Sequence, residues 1–315
     1  MSERSRNLSR RTVLACPGSS EKMHAKAPGL DVDMVFLDLE DAVAPGEKEA
    51  ARPKVVQAVK DQDWGDKIVC VRVNAWDSPW TVFDMIEVVA GAGERLDTVM
   101  LPKVQSAAEV VAADMILTQI EQASGLVSGH LGLECQIETA EGLLRAEEIC
   151  KASPRMEAII FGPGDFAASM EMPVTSGGVE IPEYPGDHFH HVFNSILMAG
   201  RAAGIQVIDG PYFRIKDTEG LASYCHRTRI LGYDGKWVLH PGQVDIVNAA
   251  FSPGQDQFDR AHRLLEAYEE ATSGQGQGAA WFEDEMIDEA SRKMALKAVA
   301  RGERAGLERG PATEA

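Results

Sequence analysis

The 315-residue chain carries 31 Lys and Arg against 49 Asp and Glu, a formal charge of −18, with 44% hydrophobic and 25% charged residues. That length can bury a large core, and the composition is that of a globular protein. An acidic balance excludes a nucleic-acid scaffold, which needs a basic face, so an anionic ligand must be held by a few local Lys or Arg. No apolar run approaches the ~20 residues of a membrane helix, so neither nucleic acid nor membrane is expected as a partner.

Residues 1–11 are basic and lack an amphipathic pattern, and a disordered tail is expected there. Eight β-rich runs follow: "TVLACPG" (12–18), "MVFLDLE" (34–40), "IVCVRVN" (68–74), "TVMLPKV" (98–104), "LGLECQIE" (131–138), "AIIFGPGDF" (158–166), "IQVIDGPY" (205–212) and "KWVLHP" (236–241). Helical periodicity separates most of them; Val110, Ala113, Leu117 and Ile120 share one face, for example. Near-continuous apolar strands alternating with helices imply a parallel sheet buried on both faces. Eight such units with no dinucleotide or P-loop glycine signature predict a (β/α)8 TIM barrel over 12–250. Between the sixth and seventh strands, residues 171–191 are too rich in Pro and Gly for one helix, and a long loop over the mouth is expected. Beyond the barrel, 251–315 reads as a helical arm: a helix with Phe258, Ala261, Leu265 and Tyr268 on one stripe, then a Gly-rich linker. A second helix is expected over 283–300 with Ile287, Ala290 and Met294 inward. The five cysteines form no CxxC pair and fit reduced thiols in a cytoplasmic protein.

In a barrel, polar residues at the C-terminal strand ends face the active site. Those ends supply Glu40, Asp41, Arg72, Lys103, Glu138, Asp165, Asp209 and Lys236. Glu138 and Asp165 end consecutive strands and so lie side by side. They suit a hard divalent ion that keeps water or substrate oxygens in its other positions. Ion pairing or helix capping fits them equally at this point, with Asp165 a candidate N-cap. Arg72 can hold a carboxylate or steady an enolate oxygen, or simply neutralise Glu40 or Asp41. Asp38 shares the strand phase of Glu40 and should point inward, with no assigned role. His188, His190 and His191 read as the start of a helix rather than as metal ligands.

Eight ordered segments carry a resemblance: "RTVLACPGSSEKMHAKA", "FLDLEDAVAPGEKEAAR", "VRVNAWDSPW", "MLPKV", "QIETAEGL", "FGPGDFAASM", "VIDGPY" and "GKWVLHPGQV". Together they resemble the HpcH/HpaI aldolase/citrate lyase β-subunit superfamily, nearest the malyl-CoA/β-methylmalyl-CoA lyases. The resemblance implies a TIM barrel, Mg2+ (or Mn2+) and reversible Claisen-type cleavage of a CoA thioester into acetyl-CoA and the 2-oxoacid glyoxylate. It implies Glu138 and Asp165 as metal carboxylates, Arg72 as the catalytic arginine, and Glu40 and Asp41 as partners of the metal waters and the arginine. "MIDEAS" resembles the arm segment whose aspartate, here Asp288, enters a neighbouring subunit's site, so a homo-oligomer, trimer or hexamer, is expected. As the base, Asp288 would need its pKa raised by burial. Lys22, Lys26 and Pro211 are the implied CoA-binding positions. Malyl-CoA thioesterases and citramalyl-CoA lyases share most of these motifs, and a citrate lyase β-like subunit working on an acyl carrier protein is a further alternative. Glu171 stands where relatives commonly carry glycine.

Overall fold

The structure, a computed structural model, describes residues 8–174, 184–274 and 278–310. The chain divides into two compact units, Met1–Asn248 and Ala249–Ala315. In the first, β1 (Thr12–Pro17), β2 (Met34–Asp38), β3 (Ile68–Arg72), β4 (Thr98–Leu101), β5 (Gly132–Ile137), β6 (Met156–Phe161), β7 (Gln206–Asp209) and β8 (Gly235–Val238) form a closed parallel barrel. Closure comes where β8 pairs with β1, Trp237 opposite Val13. All eight expected strands are present; Glu40, Asp41, Lys103, Glu138 and Asp165 follow their strands, whereas Arg72, Asp209 and Lys236 lie within theirs.

The strands are buried on both faces, which is why they read as apolar runs rather than as alternating ones. Strand phase then decides what fills the interior. Val13, Met34, Phe36, Ile68, Cys70, Met100, Ala158, Ile160, Ile208 and Trp237 form the central plug. One pleat further along, the same inward phase reaches Asp38, Arg72 and Gln136. The polar floor of the mouth therefore rests on a packed apolar layer.

Residues 8–11 are not a tail. Arg10 is buried under the barrel and pairs with Glu134 at 3.1 Å and Glu157 at 2.6 Å, while Arg11 pairs with Asp33 at 2.7 Å. Two buried carboxylates need a cation, and Arg10 supplies it. Residues 1–7 lie outside the described residues, as do 175–183 of the expected mouth loop.

Asp209 and Lys236 do not face the mouth either. Their neighbours Ile208 and Trp237 fill the interior, so alternation turns both outward, towards the helix Thr218–Leu231. There Lys236 Nζ lies 2.6 Å from Asp209 Oδ2, donates to the Gly210 carbonyl and sits 4.4 Å from the Tyr224 ring centroid. It is a buried structural ion pair.

The second unit packs the helix Gln255–Glu269 against the helix Glu289–Arg304 and a hairpin of β9 (Ala280–Phe282) and β10 (Glu285–Ile287). Its core is Phe258, Ala261, Leu264, Tyr268, Phe282, Ile287, Ala295 and Val299. The last helix begins later than the periodicity predicts. The Asp288 carboxylate accepts from the N–H groups of Ala290 and Ser291 and closes a capping box, leaving 285–287 to pair as a strand. The helix buries Ala295, Val299 and Gly302, not Met294, which is 67% exposed.

Candidate active site

Asp38 and Arg72 form the deepest polar pair. The guanidinium grips Asp38 with two parallel bonds, Nε–Oδ1 at 2.8 Å and Nη2–Oδ2 at 2.7 Å. Its Nη1 donates to Gln136 Oε1 at 3.2 Å and lies 3.2 Å from Glu40 Oε2. The Trp237 ring, 5.0 Å away at its centroid, and the Phe36 ring, at 5.6 Å, pack against the guanidinium carbon. Burial opposes the charge on Arg72, but Asp38, then Glu40 and Glu138, outweigh it and raise its pKa further. Arg72 is a fixed cation. Asp38, which had no role on sequence alone, is what fixes it.

Above this pair four carboxylates meet around one lysine. Lys103 Nζ lies 2.5 Å from Glu40 Oε1, 3.2 Å from Asp41 Oδ2 and 3.5 Å from Asp165 Oδ1. Its own N–H donates to Glu138 Oε2 at 3.0 Å. Lys103 takes a left-handed backbone, φ 52°, an uncommon conformation for a residue with a Cβ that often marks a functional turn. Behind the loop, buried Lys48 donates to the carbonyls of Leu39 and Glu40 and to Asn74, whose amide binds Asp84. This network sets the backbone that presents Glu40 and Asp41.

Neither metal candidate is a helix cap. Thr139 caps the helix Ala140–Leu144 with its own oxygen, and Gly162, not Asp165, is the N-cap of Pro163–Ser169. Glu138 is 2% exposed and no Lys, Arg or His side chain pairs with it among the described residues. Burial pushes its pKa up to about 8, with Asp165 and Glu40 adding to the rise and Arg72 and Lys103 opposing it. With every carboxyl ionised, Asp38, Glu40, Asp41, Glu138 and Asp165 face Arg72, Lys103 and Lys48, an excess of two negative charges. A divalent cation has the charge to balance it. No set of three or more His, Cys, Asp or Glu converges on a metal position among the described residues. Two carboxylates are nevertheless enough for Mg2+, which dehydrates reluctantly and keeps water and substrate oxygens. The residues fit such an ion.

Gly162 makes room for Glu138. A Cβ there would stand 2.1 Å from Glu138 Oε1. Gly162→Ala is expected to rotate the carboxylate away and weaken Mg2+ binding at least tenfold, as read by calorimetry. The Glu138 pKa also fixes a pH slope. A carboxyl that binds its proton more tightly folded than unfolded favours folding most at low pH. Without divalent cation, the melting temperature should therefore fall as pH rises from about 5 to about 8, and added Mg2+ should flatten that slope.

Glu171 explains itself in backbone terms. The helix Pro163–Ser169 closes with Met172 N–H on the Ala167 carbonyl and Glu171 N–H on that of Ala168. That pattern places a left-handed residue at Glu171, φ 53°, where glycine is favoured. Glu171→Gly should raise stability by about 0.5–1 kcal/mol, measured by urea unfolding.

The fold thus gathers Glu40, Asp41, Arg72, Glu138 and Asp165 at one mouth. Lys22 and Lys26 are exposed just after β1, in and beside the short helix Glu21–His24, and Pro211 is buried just after β7. Asp288 belongs to the second unit, exposed, with its pKa lowered, first by the Ser291 N–H, rather than raised. Sequence reasoning placed Lys103 at the mouth without a role and missed Gln136. The inward phase shared by Gln136 and Glu138 was the available signal.

The HpcH/HpaI aldolase/citrate lyase family matches residues 11–241. L-malyl-CoA/β-methylmalyl-CoA lyase of Cereibacter sphaeroides is 37% identical over 93% of this chain and 94% of its own. The (3S)-malyl-CoA thioesterase of the same species is 34% identical over 93% and 94%. Among solved structures, protein CitE of Mycobacterium tuberculosis, in complex with magnesium, acetoacetate and coenzyme A, superposes with a TM-score of 0.74. It shares 29% identity and matches over 96% of this chain and all of its own. This chain belongs to the HpcH/HpaI aldolase/citrate lyase family and is an enzyme, a carbon–carbon lyase by that membership.

Proposed function

We propose that the chain is a Mg2+-dependent CoA-ester lyase that reversibly cleaves malyl-CoA, or β-methylmalyl-CoA, to glyoxylate and acetyl-CoA or propionyl-CoA. The observation that carries the reading is buried, cation-free Glu138 beside Asp165, within reach of an immobilised arginine. Glu138 and Asp165 would hold Mg2+, with Mn2+ as a second oxygen-loving candidate. Bound there, the ion would supply Lewis-acid polarisation of the 2-oxoacid carbonyl.

The chain's own residues do the rest. Arg72 Nη2 gives one of its two hydrogens to Asp38. The other is free among the described residues to meet the thioester oxygen as it becomes an enolate. Because Asp38, Gln136 and the Trp237 face hold the guanidinium beforehand, no reorganisation accompanies that charge development. Asp288 is assigned the proton: it takes one from the acetyl-CoA methyl in condensation and returns it to the enolate carbon in cleavage. Engaged by two backbone N–H groups, its carboxylate is a weak base, so this work requires the cap to loosen or water to leave. Lys22 and Lys26 are assigned to the CoA phosphates and Pro211 to the CoA site. Action by a partner's arm makes the working form a homo-oligomer.

The test runs in the condensation direction. Acetyl-CoA, glyoxylate and Mg2+ should yield malyl-CoA by mass spectrometry, and Asp288→Asn should lose deuterium exchange into the acetyl-CoA methyl. Mixing Asp288→Asn with Arg72→Ala should restore activity if the arm works across subunits; no recovery sinks that arrangement. The thioesterase relative supplies the second reading, in which the same mouth directs water at the thioester carbonyl.

A further inference from the structure

Asp165, one of the two metal carboxylates, already has a cation. We propose that the Lys103 ammonium is a built-in counter-ion that holds Glu40, Asp41 and Asp165 together and must be displaced when a divalent cation binds, so that Lys103 sets the affinity for that cation. This rests on Glu138 and Asp165 being the ligands.

Three observations converge on Lys103. Its ammonium is the sole ion-pair partner of Asp41 and Asp165 among the described residues, and it shares Glu40 with Arg72. Its left-handed backbone points the N–H at Glu138, so one residue touches both ligand carboxylates, one through the main chain and one through the side chain. Its side chain is 25% exposed, whereas the Arg72 side chain is 5% exposed and clamped by Asp38. Of the two cations that form ion pairs with these carboxylates, only Lys103 has a flexible, partly exposed stem.

The physics is competition. An ammonium 3.5 Å from Asp165 and an ion bound to the same carboxylate repel each other strongly at a partly buried site. Binding therefore breaks the Lys103 ion pairs, and their loss is subtracted from the affinity. The same pairs keep the carboxylates from repelling one another before the metal arrives. The backbone bond to Glu138 does not depend on the side chain, so substitution can isolate the ammonium.

Calorimetry of Mg2+ binding without substrate, on the whole protein, tests this with wild type, Lys103→Met, Lys103→Arg and Asp165→Asn. Lys103→Met should bind about tenfold tighter or more, and its metal-free form should melt at a lower temperature. Lys103→Arg, which keeps the charge, should stay near wild type. Should Lys103→Met fail to fold, as checked by circular dichroism, Lys103→Gln carries the same comparison. Equal or weaker binding by the neutral variant, with binding still lost in Asp165→Asn, overturns the role of Lys103 alone. Wild type that binds no Mg2+, indistinguishable from Asp165→Asn, overturns the ligand assignment and this inference with it.

Discussion

Arg72→Met is expected to lower kcat for malyl-CoA cleavage by about 10²–10³-fold, the scale of losing a preorganised oxyanion donor. It should also remove about 3–5 kcal/mol of stability, because Asp38 is left as an unpaired buried charge. The two effects separate in a double variant. Adding Asp38→Asn should recover most of the stability, read by urea unfolding, while kcat stays down. Recovery of kcat in the double variant would show that Arg72 acts only by neutralising Asp38. Arg72→Lys should behave more like Arg72→Met than like wild type, since an ammonium cannot reproduce the two-pronged grip on Asp38 and reach the substrate as well.

Glu138→Gln should produce opposite signs in two measurements. The amide keeps the shape but loses the ligand charge, so Mg2+ affinity should fall by about 100-fold or more and turnover with it. The metal-free protein should become more stable, most visibly near pH 8, because the buried group no longer has to carry a charge. A variant that loses both stability and metal binding would mark Glu138 as a structural carboxylate. The contrast with Asp165 is informative: its side chain is 45% exposed, so Asp165→Ala should lose the metal with little change in the metal-free melt.

What could be read from the sequence divides along physical lines. Strands buried on both faces advertise themselves as apolar runs, and the period of two then fixes which side chains share a face. This is why the inward direction of Asp38 was legible while its grip on Arg72, a neighbour in space 34 residues on, was not. Position at a strand end, taken without that phase, placed Asp209 and Lys236 at the mouth, although Ile208 and Trp237 already occupy the inward phase. Arg10 read as a tail because its partners, Glu134 and Glu157, lie 124 and 147 residues away. Nothing local marks it. Asp288 shows the limit from the other side. Its motif pointed to chemistry, but Asp-x-x-Ser before a helix is also a capping pattern, and in the described arm the carboxylate is a cap. At Lys103 the decisive feature is a backbone angle, which "LPKV" does not announce.

Lyase and thioesterase chemistry differ in which bond of malyl-CoA breaks. Incubating the protein with malyl-CoA and Mg2+ and separating the products by mass spectrometry decides it. Glyoxylate together with acetyl-CoA, formed in equal amounts and lost on chelation of the metal, is the predicted result. Malate with free CoA would contradict it and assign the same mouth to thioester hydrolysis.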